Sequence, residues 1–145
     1  MKVVIQRVKE ASCIVDGKLI SNIEKGLMLL VGFTHTDTEE QIVKMANKIA
    51  KLRIFEDENG KMNLSVKDIN GAILSISQFT LYANPYTGNR PSFIDAMNPT
   101  LANELYEKFN LELEKLGFFV GRGVFGADMK LPNVADGPVT ITLEF

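Results

Sequence analysis

Four polar side chains gather at one end of a short apolar run. Ala72-Ile73-Leu74-Ser75-Ile76 fits a mostly buried strand, and Ser77, Gln78, Thr80 and Tyr82 follow it before the turn signal Asn84-Pro85. A strand ending in hydroxyl and amide groups beside a loop suits chemistry, because the strand holds the backbone rigid and the loop gives access. The same residue types also serve as ordinary hydrogen-bonding turn residues, and this stretch alone does not separate the two readings. The chain has one histidine, His35, and one cysteine, Cys13. His35 has no cysteine or histidine partners for a zinc site, and no G-x-S-x-G nucleophile elbow accompanies it. It reads as structural or surface, with a Ser-His-Asp triad left open. Cys13 sits inside a strand pattern, where a thiol is usually inert filling. The acidic run Glu56-Asp57-Glu58-Asn59-Gly60 lacks the alternating ligands and closing glutamate of a calcium loop, so it reads as a solvated turn rather than a metal site. Hydroxyls, one amide and glycines without a strong general base suit a reaction on an already activated bond.

The elements that must hold these residues follow from periodicity and punctuation. Lys2–Val8 and Ala11–Val15 read as strands, and Asp16-Gly17 as a hairpin turn in which both residues take positive φ. Leu27–Phe33 is continuously apolar and reads as a buried strand. Arg7, among valines and isoleucines, reads as an edge arginine in solvent or in a surface ion pair. Thr38 with Gln41 three residues on forms a capping-box pattern, opening a helix with the apolar stripe Ile42, Met45, Ala46, Ile49 and Leu52. Lys44, Lys48 and Lys51 fall on another face, read as solvated, with nucleic-acid phosphate contact as the alternative. Arg53-Ile54-Phe55 reads as a short strand. After the loop Ala83–Asn98, Asn98 as N-cap and Pro99 at the first position open a second helix. Its stripe is Leu101, Leu105, Phe109, Leu113 and Leu116, and Gly117 stops it. Phe118–Val120 and the alternating Val139–Phe145 close the chain as strands. Gly121–Gly126 matches G-x-G-x-x-G. The match is rejected as a dinucleotide site, because Pro132 interrupts and no room remains for the helix, strand and acidic residue the fingerprint needs. Helices that follow groups of strands predict an α+β fold: mixed, mostly antiparallel sheet with two main helices packed on it, in one domain spanning residues 1–145.

The 145 residues are enough for a sizeable core, and the charge is −2. A protein gripping long nucleic acid would carry a basic surplus, so any nucleic-acid contact must be local. No stretch approaches a membrane span. Met1–Arg7 is too soon charged for a signal peptide, and a lone cysteine cannot form an internal disulfide. Together these predict a cytoplasmic protein.

Several spaced words of this chain resemble the D-aminoacyl-tRNA deacylase family. They are Ser77-Gln78-Phe79-Thr80-Leu81 and Gly137-Pro138-Val139-Thr140. With them go Ile5-Gln6-Arg7-Val8, Ala11-Ser12, Arg53-Ile54-Phe55, Gly60-Lys61-Met62-Asn63, Arg90-Pro91-Ser92-Phe93 and Ala127-Asp128-Met129. The family usually reads N-D-G-P-V-T where this chain has Ala135, so whatever that amide does is not carried over. The resemblance implies an α+β homodimer without cofactor that hydrolyses the ester joining a D-amino acid to the 3′ end of tRNA. It implies catalytic positions at Gln78, Phe79 and Thr80. The backbone amides of Phe79 and Thr80 are then the oxyanion donors, and the Thr80 hydroxyl is a positioning group, since without an activating base it is a poor nucleophile. It assigns substrate binding and chiral selection to Ser77, Gly137 and Pro138. The Gly137-Pro138 bond is expected to be cis and to enter the partner subunit's site, excluding L side chains and letting glycine through. It gives Arg7 a supporting role at the site or the dimer interface. Two competing readings are a nucleic-acid-binding module without hydrolysis and a serine or threonine hydrolase with a covalent acyl-enzyme.

Overall fold

The computed structural model describes residues Met1–Phe145. Asp16 and Gly17 hold φ of 50° and 74°, the left-handed turn that the right-handed twist of a hairpin demands. They join β1 (Lys2–Val15) to β2 (Lys18–Ile23). The two strands expected before this turn are one. Lys9 and Glu10 are exposed and read as a break, but a register shift between Val8 and Glu10 absorbs Lys9, and pairing resumes with Glu10 opposite Val134.

β1 is the spine of the sheet. It pairs antiparallel with β2, with β3 (Gly26–Gly32) and with β8 (Asn133–Glu144). β3 then pairs in parallel with β6 (Ala72–Ser77), and β6 in parallel with β7 (Val120–Arg122). The hydroxyl of Ser21 on β2 donates to the Arg122 carbonyl on β7 at 2.7 Å, drawing the sheet round into a nearly closed barrel. A separate antiparallel ribbon joins β4 (Arg53–Glu56) to β5 (Met62–Ser65). β5 was not anticipated. Met-Asn-Leu-Ser lacks β-branched residues, and the strand exists because Arg53 grips Asn63, with Nε on its carbonyl at 2.9 Å and Nη2 on Oδ1 at 2.7 Å. The acidic run before it is a turn, as read. Asp57 accepts the N–H groups of Asn59 and Lys61 and the amide of Asn63.

α1 (Glu39–Lys51) and α2 (Pro99–Lys115) cover one face of the sheet. At the start of α1 the Thr38 N–H donates to Gln41 Oε1 at 2.9 Å, and at the start of α2 the Asn98 side chain accepts from the Thr100 N–H at 3.0 Å. Ile42, Met45, Ala46 and Ile49 are buried as expected, and Lys44, Lys48 and Lys51 are exposed. On α2 the buried face is Ala102, Tyr106, Phe109, Asn110 and Leu113, while Leu101 is 53% exposed. The expected stripe shares Phe109 and Leu113 with the buried face, which takes Ala102 and Tyr106 in place of Leu101 and Leu105. Tyr106 wins the interior because its hydroxyl donates to the Ser75 carbonyl at 2.7 Å, so its burial leaves no orphaned group. These helical residues meet Val3, Ile5, Leu27, Leu29, Val31 and Ile73 in the larger core, each large side chain contributing roughly 1.5–3 kcal/mol by leaving water. A smaller core of Val8, Ala11, Cys13, Ile23, Met28, Leu74 and Ile76 fills the other face. Burial pushes the Cys13 thiol pKa up, which keeps it protonated and unreactive. No helix is long and apolar enough to cross a membrane.

Candidate active site

β3, β6 and β7 run parallel, so their carboxyl ends lie at one edge of the sheet. A cavity of about 290 Å³ opens there, where chains leaving parallel strands diverge and leave a crevice. The end of β3 supplies Val31, Gly32 and Phe33. The end of β6 and the turn beyond it supply Ile76, Ser77, Gln78 and Phe79. Met97 and Ala102 close one side, and the segment after β7 supplies Phe125–Met129 and, further on, Leu131. Asp128 is the one titratable group in this lining, and it pairs with Lys130 at 2.8 Å.

The chain after β6 does not run on as a strand. The Gln78 N–H is spent on the Val31 carbonyl at 2.7 Å, and Phe79–Tyr82 then coil into a 3-10 turn. Gly32 permits this close packing, since a Cβ there would stand 2.9 Å from the Gln78 carbonyl oxygen and 3.1 Å from Leu81 Cβ. At the start of such a turn the first N–H groups have no carbonyl partner within the turn itself, and here these belong to Phe79 and Thr80. Gln78 Nε2 donates to Thr80 Oγ1 at 2.6 Å, which ties amide to hydroxyl. Phe79 is 57% exposed and meets Phe93 edge to face with ring centroids 5.2 Å apart, so the loop Ala83–Asn98 packs at the cavity mouth through Phe93. Tyr86 of the same loop is 93% exposed and packs nothing down. Ser77, Gln78 and Phe79 line the cavity, and Thr80 adjoins it through Gln78.

Candidate bases are engaged elsewhere. His35 is exposed and its Nε2 donates to the Ile94 carbonyl at 2.6 Å, which supports the structural reading. Tyr82 has its hydroxyl pKa pushed well up by burial, helped by the nearby carboxylates of Asp37 and Glu144, so it stays protonated at neutral pH. Lys2 lies over its ring at 4.8 Å and donates to the Leu81 carbonyl at 3.3 Å.

Gly137 and Pro138 form a second, separate group. They do not open a strand. β8 begins at Asn133 and passes through them, and their peptide bond is cis. Gln6 pairs with Thr140 and Val8 with Ala135, so Asp136–Val139 bulge out opposite Arg7 alone. A bulge on an edge strand is where proline, which donates no ladder bond, is tolerated. Arg7 fills the space beneath. It is 5% exposed, so the solvent-edge reading is overturned. Its Nε donates to the Asp136 carbonyl at 3.1 Å and lies 3.5 Å from Asp136 Oδ2, and its Nη1 donates to the Ile54 carbonyl at 2.7 Å. Gln6, not singled out from sequence, holds the other shoulder through the Val139 carbonyl at 3.2 Å and the Thr140 hydroxyl at 2.6 Å. Gly137 and Pro138 are exposed, and neither lines the cavity of its own chain.

A sheet curled toward a barrel, backed by two helices, with a cavity at the ends of its parallel strands and a cis-proline bulge on its edge defines an α+β class of compact site. A family model described as D-Tyr-tRNA(Tyr) deacylase matches residues 4–144, and the chain belongs to that family. It is 59% identical over 144 residues to a D-aminoacyl-tRNA deacylase of Lactobacillus acidophilus, with 99% of each chain covered. A protein of the same description from Lactobacillus delbrueckii subsp. bulgaricus is 57% identical over the same length, again with 99% of each covered. Among solved structures, one described as c-Myc DNA Unwinding Element Binding Protein superposes with a TM-score of 0.94 at 42% identity, covering 100% of this chain and 99% of its own.

Proposed function

We propose that this chain, as one domain over residues 1–145, hydrolyses the ester between a D-amino acid and the 3′ end of tRNA, releasing the free amino acid and intact tRNA. The observation that carries the reading is the turn after β6. It places Ser77, Gln78 and Phe79 on a cavity whose lining has one titratable group, Asp128. Such a site works by positioning. Water attacks the ester carbonyl, and a new C–O bond forms as the carbonyl oxygen takes negative charge opposite the Phe79 and Thr80 N–H groups. The bond to the ribose oxygen then breaks as the proton lost by the attacking water, whose attack the neighbouring 2′-hydroxyl assists, passes to that oxygen. Preorganised donors of this kind supply much of the barrier lowering in acyl transfer. Thr80, held by Gln78 at 2.6 Å, orients the ester and does not attack it.

The separation of the Gly137-Pro138 bulge from its own chain's cavity supports a homodimer in which the bulge reaches the partner subunit's site. A rigid backbone wedge there would occupy the space of an L side chain, selecting by exclusion. Many D side chains and achiral glycine would pass. The same reading makes the protein cytoplasmic, free of cofactors, and in contact with only the aminoacylated end of tRNA.

A binding module without hydrolysis draws on the description of the relative that superposes at 42% identity. The net charge of −2 weighs against it, because gripping nucleic acid needs a basic surface. Single-turnover release from D-Tyr-tRNA and L-Tyr-tRNA, with acid quench to trap any acyl-enzyme, tests the proposal. Rapid D-specific release without a trapped adduct is the expected result. Filter-retained tRNA with no release from either ester would overturn it in favour of the binding module, and a trapped adduct would overturn the positioning mechanism.

A further inference from the structure

Gly123 follows β7 and donates its N–H to the Ser75 carbonyl at 3.0 Å. A Cβ built on it would stand 2.6 Å from Met129 Sδ and 3.0 Å from Ile76 Cδ1. Both of those residues line the cavity, and Met129 also packs on the smaller core. Met129 therefore lies in the one place where residue 123 has no side chain, and its thioether bridges the sheet and the cavity. An unbranched, polarisable side chain is suited to filling such an irregular gap.

We propose that Met129 is the adjustable floor of the cavity, and that Gly123 is a positioning residue that sets its depth and so tunes affinity for the substrate end held against Ser77–Phe79. The inference rests on the deacylase reading for its kinetic half and on geometry alone for its structural half. A side chain at 123 must push Met129 first, because Met129 Sδ is the nearer contact at 2.6 Å, against 3.0 Å for Ile76 Cδ1. The displaced thioether has the cavity as its open side. Gly123 touches neither the Phe79 nor the Thr80 N–H, so the fault should appear in binding and not in the chemical step.

The experiment pairs methyl NMR with steady-state kinetics on full-length protein. The Met129 ε-methyl signal, labelled with ¹³C and assigned by Met129→Leu, is compared between wild type and Gly123→Ala. KM and kcat for D-Tyr-tRNA are measured for wild type, Gly123→Ala, Met129→Ala and the double variant. The expected result is a shifted methyl signal and a KM raised about tenfold in Gly123→Ala, the scale of an overpacked contact, with kcat within about twofold. The double variant should match Met129→Ala. An unmoved methyl signal, or a Met129→Ala protein with wild-type KM, would overturn the proposal, and the second of these holds even where Gly123→Ala fails to fold. A shifted signal in a protein without D-Tyr-tRNA hydrolysis would retain the floor and refute the deacylase reading instead.

Discussion

Arg7 lies directly beneath Gly137: its Nη2 is 3.0 Å from the point where a Cβ on residue 137 would sit. The guanidinium therefore fills the volume that glycine leaves empty, and it takes the Asp136 and Ile54 carbonyls as partners. The bulge that carries Pro138 is supported from below by a buried charge. This support is local to one chain, whereas the proposed destination of the bulge is another.

Arg7→Met keeps most of the packing volume and removes the donors. It orphans two carbonyls, and hydrogen bonds to charged groups contribute about 1.5–3 kcal/mol each, so unfolding free energy should fall by roughly 3 kcal/mol. Urea denaturation checks this. Arg7→Lys should recover only part, since an ammonium cannot reach both carbonyls in the planar fork of a guanidinium.

Gly32→Ala tests the seating of the turn proposed to hold the oxyanion donors. The added methyl meets the Gln78 carbonyl at 2.9 Å and must lift Phe79 and Thr80. Displacement of oxyanion donors by about 1 Å costs on the order of a hundredfold in rate. Single-turnover release from D-Tyr-tRNA should fall by that order, while circular dichroism stays that of the wild type.

Thr80→Ala and His35→Gln test the absence of a protein base. Removing the Thr80 hydroxyl loses one bond to Gln78 and should lower the single-turnover rate by no more than about tenfold, the worth of one neutral hydrogen bond. His35 is committed to the Ile94 carbonyl, so His35→Gln should leave the pH–rate profile superimposable on that of the wild type. An inflection present in the wild type and lost in His35→Gln would restore histidine to the mechanism.

Acid sensitivity follows from two carboxylates. Hydrogen bonds from Asn63 and from the Lys61 and Asn59 N–H groups hold the Asp57 pKa below its ordinary value, and those from the Ser65 N–H and hydroxyl do the same for Asp68. A depressed folded pKa means that the unfolded chain binds the proton more readily. Stability is therefore fully present above the unfolded carboxylate pKa of about 3.9 and is lost as pH falls through the lower folded value. Thermal melts from pH 6 down to pH 3 should show a smaller decline for Asp57→Asn and Asp68→Asn than for wild type.

Punctuation was legible in the sequence and long-range assembly was not. Asp16-Gly17, Thr38 with Gln41, and Asn98-Pro99 each act through bonds to near neighbours, so local reading finds them. Burial of Arg7 depends on carbonyls 47 and 129 residues away, and no neighbouring residue signals it. The strand through Gly137-Pro138 carries no local signal, because proline normally marks an end, whereas here a bulge opposite Arg7 absorbs it. In the cavity, Ser77 and Gln78 stand out by type at the end of an apolar run. Phe125, Gly126 and Met129 are ordinary residues that matter only because β7 lies beside β6, a pairing set by the global fold.

The most direct measurement is the ratio of D-Tyr-tRNA to L-Tyr-tRNA hydrolysis by wild type and by Pro138→Ala. If Gly137-Pro138 excludes L side chains from the site, wild type should release only the D ester. Pro138→Ala should then gain L hydrolysis while retaining D hydrolysis, so the ratio collapses toward one. A Pro138→Ala protein that keeps the wild-type ratio, or a wild type that hydrolyses both esters alike, would contradict the account.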